Sequence, residues 1–232
     1  MSHNTNQDPN GLKDDALAAS STPESIADGV DEEVVEPNRR LFVGWQFLLF
    51  AALAIAYSGF HLFSLNVYPM ETWSFRIVHI AGALILGYGL FAGARFAEDD
   101  QQASPAWLKW VSYALLVPAV YSLVQVFLMQ QAINGGAMRI DPAVETLHFG
   151  YPLMATTAGA IVLSWFYRQA RHRFNPADLV LMVCAIASAA YLLMAFNTNM
   201  RMSTGTSFAP PGISWAAIAG SLLILELTRR VA

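Results

Sequence analysis

The sequence is poor in cysteine, in charge and in carboxylates outside its first segment, and each shortage excludes something. A single cysteine, Cys184, rules out a disulfide framework and a cysteine-based metal centre. Charged residues make up 13% of the 232 positions against 55% hydrophobic ones; a water-soluble domain normally carries about 25% charged residues. That shortfall excludes an ordinary soluble fold. The first 38 residues lack aromatic side chains and hold nine of the seventeen acidic residues, opposed only by Lys13. Such a stretch buries too little apolar surface to offset the entropy of ordering, so residues 1–38 read as a disordered acidic tail. It also lacks a basic start and an apolar run, which excludes a signal peptide. Without the tail the formal charge of −4 becomes +4. No Gly-rich phosphate loop follows a strand and no nucleophile elbow is present, which leaves those enzyme classes without a foothold.

What the sequence has in abundance is long apolar runs. Crossing about 30 Å of hydrocarbon takes roughly 20 mostly apolar residues in a helix. Residues 39–232 supply six such runs, at about Leu41–Phe63, Phe75–Phe96, Trp107–Met129, Phe149–Tyr167, Ala177–Phe196 and Ile213–Leu227. The fold class expected is an all-α integral membrane protein of about six spans arranged as three hairpins. Lys and Arg near span ends are retained in the cytoplasm. One side collects Lys13, Arg39, Arg40, Arg95, Lys109, Arg168, Arg171, Arg173, Arg229 and Arg230, and the other only Arg76, Arg139 and Arg201. This bias predicts a multi-pass protein with both termini in the cytoplasm. All six tryptophans, Trp45, Trp73, Trp107, Trp110, Trp165 and Trp215, fall near span ends, where amphipathic rings sit at the interface. Asn175-Pro176-Ala177-Asp178 reads as a helix start, with Asn175 capping and Asp178 facing the positive end of the helix dipole. The odd-numbered spans each carry a tyrosine, Tyr57, Tyr121 and Tyr191, a weak hint of a threefold repeat.

Chemistry inside the membrane is hard to find. On these boundaries every Arg and carboxylate lies at a span end or in a connection, except Glu226 near the close of the last span. No Asp, Glu and His string runs through the membrane depth as a proton relay would need, and no matched pair of broken helices marks a transport site. His61, His79 and His148 lie toward the outer side; as imidazoles on neighbouring helices they are alternative axial ligands for a b-type haem in a redox subunit. The commoner role of such histidines is a hydrogen bond to a carbonyl or a neighbouring helix. Zinc is disfavoured, because no local Cys/His spacing sets a tetrahedral site. Glu226 and Arg230 stand four apart, an ion pair worth a few tenths of a kcal/mol on an exposed helix.

Three segments carry a resemblance. They are Ser58-Gly59-Phe60-His61-Leu62 followed by Ser74-Phe75-Arg76-Ile77-Val78-His79-Ile80; Asn175-Pro176-Ala177-Asp178-Leu179 with Tyr191 downstream; and Leu225-Glu226-Leu227-Thr228-Arg229-Arg230. Together they resemble the N-terminal membrane region of the fused permeases of TAXI-type TRAP transporters (tripartite ATP-independent periplasmic transporters). The likeness covers about 41–96 and 174–232; the middle hairpin, Trp107–Tyr167, has no quotable counterpart. In that family a long many-span domain holding the substrate and sodium sites follows, whereas here Arg230 is two residues from the end. The resemblance therefore implies either a separate large transport polypeptide or a shortened chain. It implies an inner-membrane accessory or small permease subunit, without catalysis or cofactor of its own, in a system that takes up organic anions. Its partners would be a large multi-span permease, a periplasmic binding protein and the lipid bilayer, with no nucleic acid. Arg76, Arg139 and Arg201 on the outer face, with Glu226, Arg229 and Arg230, are the candidate partner contacts; for the outer arginines, snorkelling to the lipid interface is the commoner role.

Overall fold

Where each helix starts and stops is set by a few local devices in the computed structural model, which describes residues 38–97, 103–137, 139–196 and 210–232. The tail and Arg201 lie outside the described residues, apart from position 38. Among the described residues six helices are long and apolar enough to cross a membrane: α1 Trp45–Asn66, α2 Thr72–Leu90, α3 Ala106–Asn134, α4 Pro142–Phe166, α5 Pro176–Ala195 and α6 Pro211–Val231. No β-strand occurs among the described residues beyond one isolated bridge between Arg39 and Phe91.

That bridge corrects two of the expected boundaries. Gly44 takes a left-handed φ of 63°, so Leu41–Val43 lie outside the helix ahead of α1 instead of forming its first turn. Phe91 is extended, ending α2 six residues before the expected Phe96. Around the bridge, residues 38–40 pair with residues 90–92: Arg40 N–H donates to the Leu90 carbonyl (2.7 Å) and Ala92 N–H to that of Asn38 (2.9 Å). The α5 start is as expected, with the Asn175 side chain accepting from Ala177 N–H at 2.9 Å and Pro176 in the first turn. Asp141 and Pro142 start α4 in the same manner, seven residues earlier than expected. The added turn is a π-turn over Glu145–Gly150, with Tyr151 N–H bonded to the Thr146 carbonyl just before Pro152.

Burial divides the helices unequally. Helix α5 is central, packing against α2, α3, α4 and α6, and 61% of its apolar window is buried, against 11% for α1. Small residues allow this: Ala177, Cys184, Ala185, Ala187 and Ser188 of α5 are all buried. Small side chains let backbones approach where apolar surroundings give helices little hydrophobic drive to associate. The α1 helix instead exposes Trp45, Phe47, Leu48, Ile55, Leu62 and Leu65. One tie to the bundle is Phe50, which lies 5.9 Å from Phe174 and over Gly89, where any side chain on α2 would overlap its ring.

Candidate functional site

Four charged side chains meet at one end of the bundle. Asp178, in the first turn of α5, is fully buried and pairs with two guanidinium groups. One is that of Arg40, from the extended piece before α1; the other is Arg230, near the end of α6, 2.8 Å from Oδ1. Arg230 turns back to Glu226, its Nε 2.8 Å from Oε1. The side chains of Arg40, Asp178, Glu226 and Arg230 are all 2% exposed or less. Two positive and two negative charges therefore balance within one dry cluster. Isolated charges are costly in such surroundings, and only full pairing with further hydrogen bonds makes their burial tolerable.

The further bonds are present except at Arg40 Nε, which is buried without a hydrogen-bond partner. Arg40 Nη1 donates to the Tyr88 and Gly89 carbonyls at 2.8 and 2.9 Å, and Arg230 Nη1 to that of Phe91 at 3.1 Å. These carbonyls come from the end of α2 and the residue beyond it, where no helical N–H remains to satisfy them. Arg230 also reaches Ser164 Oγ (3.0 Å), and its guanidinium lies 4.7 Å from the centre of the Tyr88 ring. Tyr88 in turn donates to the Leu223 carbonyl at 2.6 Å. Trp165 Nε1 donates to Glu226 Oε2 at 2.9 Å. Arg229, whose side chain is 46% exposed, pairs with the same carboxylate at 2.8 Å and donates to the Gly93 carbonyl. Gly93 has no space for a side chain, since a Cβ there would lie 2.9 Å from the Ser164 carbonyl oxygen and 3.0 Å from Arg230 Nη2. The cluster thus joins the chain ahead of α1 and the ends of α2, α4, α5 and α6.

Away from this cluster, two smaller groups link α1 to α2 and α3 to α4. Tyr57 Oη lies 2.9 Å from His79 Nδ1, and His61 Nε2 lies 2.6 Å from the same nitrogen. Tyr121 Oη lies 2.7 Å from His148 Nδ1, without a second imidazole. With His61 Nε2 and His79 Nδ1 2.6 Å apart, the pair is set for a hydrogen bond and not for opposite axial positions on one iron, which lie about 4 Å apart, twice a metal–imidazole bond of about 2 Å. His148 belongs to the other group and to neither of these two rings.

Of the expected contact residues, Arg76 is exposed, its guanidinium 5.6 Å from the centre of the Trp73 ring, and Arg139 is exposed in the connection before α4. Glu226 and Arg230 are enclosed in the cluster, leaving Arg229 as the member of that string at the surface. Arg40, Asp178 and Arg230 lie at helix ends or ahead of one, as expected, but they are buried there, as is Glu145 in the π-turn, which accepts from Gly212 N–H at 3.2 Å. The Glu226–Arg230 pair forms as spaced, but buried and extended to Asp178 instead of exposed and alone. Arg40 and Tyr88 were missed as site residues, because their partners lie 138 and 135 positions away and no local spacing signals them.

No protein-family model, no curated protein and no solved structure matches the chain.

Proposed function

We propose that the chain is the accessory, scaffold-like membrane subunit of a TRAP-type secondary transporter for organic anions. It sits in a bacterial inner membrane as three hairpins, with the charged cluster and both termini on the cytoplasmic side. A separate large permease lies beside it, and a periplasmic binding protein docks from the outside. One observation carries this reading. The Asp178 segment and the Glu226–Arg230 segment, two of the three pieces that carry the family resemblance, meet in one closed ion cluster. Its charges are balanced among themselves and fastened to backbone carbonyls, so the cluster acts as a lock between helix ends and not as a station for a passing anion. The orientation is supported by Arg39, Arg40, Arg168, Arg171, Arg229 and Arg230, which gather at the cluster's end through contacts such as Leu41 N–H to the Arg171 carbonyl and Asn38 to that of Arg230. The exposed apolar face of α1 gives the larger partner or lipid a surface to lie against.

The test is mild detergent extraction of native membranes followed by affinity purification and mass spectrometry. The reading expects a large multi-span membrane protein in stoichiometric amount and, more weakly, a periplasmic binding protein. Recovery of the chain alone under conditions that preserve other membrane complexes would count against it.

A further inference from the structure

We propose that Tyr57, His61 and His79 form a binding site for one transition-metal dication of the Zn2+ class, spanning α1 and α2. The tautomer of His61 follows from its partners. Its Nδ1 lies 2.7 Å from the Tyr57 carbonyl oxygen, which accepts and never donates, so Nδ1 carries the proton. In the neutral ring Nε2 then holds a lone pair, which accepts a hydrogen bond from His79 Nδ1–H 2.6 Å away; a bound ion takes the place of that proton, with His79 carrying its proton on Nε2 instead. Tyr57 Oη lies 2.9 Å from the same His79 nitrogen and 3.0 Å from the His79 carbonyl oxygen. Two imidazole nitrogens and a phenol oxygen from two helices thus converge on one small volume. An imidazole that donates its outer N–H to a backbone carbonyl and turns its lone pair inward has the arrangement of a metal-bound histidine.

Neighbouring rings hold the donors in place. Phe75 lies edge-on to His61 with centroids 5.5 Å apart and stacks on His79 at 6.2 Å, while Phe60 meets His61 edge-on at 5.4 Å. Gly82 admits the Tyr57 ring against α2, where a side chain would overlap it. Tetrahedral coordination at bonds of about 2.0–2.1 Å places donors roughly 3.3 Å apart, so a bound ion requires the two imidazoles to part by about 0.7 Å. Two imidazoles and an oxygen suit Zn2+, and the exposed position of His79 leaves a coordination position for water. Among the described residues no three His, Cys, Asp or Glu side chains converge; the third donor here is a phenol. The Tyr121–His148 pair serves as an internal control, since it repeats the tyrosine–imidazole link without the second imidazole.

The experiment titrates the full chain, without a polyhistidine tag and in lipid nanodiscs, with Zn2+ by calorimetry and with Co2+ by visible absorption. The chain has five histidines, and each is replaced in turn by Gln. One Zn2+ per chain is expected, weakened about tenfold or more by H61Q or H79Q and unchanged by H3Q, H148Q or H172Q. Y57F is expected to weaken Zn2+ binding and to shift the Co2+ absorption band. Absence of saturable binding, or binding that survives both H61Q and H79Q, overturns the proposal. If either variant loses its helical circular dichroism, diethyl pyrocarbonate modification of the wild type decides. Slower modification of His61 and His79 with Zn2+, and unchanged modification of His148, supports the site; equal modification with and without Zn2+ overturns it.

Discussion

The charged cluster and the tyrosine–histidine groups solve the same problem, joining helices that neighbour one another in space, by opposite means. Arg40, Asp178, Glu226 and Arg230 use full charges, are closed to solvent, and draw on five segments of chain. The Tyr57–His79 and Tyr121–His148 links use polar groups at exposed histidines, and each joins two consecutive helices. In apolar surroundings a neutral hydrogen bond is a modest addition and its loss is tolerable. A buried charge that loses its partner is not, because the remaining ion has no water to turn to. The contrast assigns stability to the charged end and leaves the histidine groups freer for binding.

Four substitutions can break or sharpen that contrast, each read as the shift in unfolding free energy in detergent by circular dichroism. D178N removes the only carboxylate shared by Arg40 and Arg230 among the described contacts. It should cost about 3–5 kcal/mol, the range for breaking a buried ion pair from one side. E226Q keeps an oxygen for Trp165 but loses the charge that faces Arg229 and Arg230. A loss of about 1.5–3 kcal/mol is expected, the worth of hydrogen bonds to a charged group. Y121F deletes one neutral bond to His148 and should cost about 0.5–1.5 kcal/mol. R229A removes an exposed partner of Glu226 and should cost under about 1 kcal/mol, shrinking further in high salt. A Y121F effect larger than that of E226Q would reverse the contrast between the two kinds of link.

How much of this was legible in the sequence depends on the distance over which a signal acts. The six apolar runs, the Asn175 cap and the Glu226–Arg230 spacing are local, and all appear as helices, cap and ion pair. Boundaries failed where the cause was tertiary: Phe91 is apolar enough for helix, yet is drawn into a bridge with Arg39, and Leu41 N–H is taken by the Arg171 carbonyl. Helix α4 starts early because Asp141-Pro142 is a strong start signal hidden behind polar residues that lower the hydropathy of its first turns. The cluster was half visible. Asp178 sits in the helix start that Asn175-Pro176 signals, and Arg40 and Arg230 lie ahead of α1 and in the last turn of α6, but their meeting depends on how α5 and α6 pack. The tyrosines of the odd-numbered spans show the same limit, since Tyr57 and Tyr121 each meet a histidine while Tyr191 stacks on Phe149 instead.

The central claim is that Asp178 and Arg230 act as a unit that locks α5 to α6, and a double-mutant cycle tests it most directly. Unfolding free energies are measured for wild type, D178N, R230M and the double variant under one set of detergent conditions. The account predicts that the double variant loses less than the two single losses combined, by about 1–3 kcal/mol, because removing both charges leaves neither stranded. Losses that simply add would show two independent buried charges and contradict the lock.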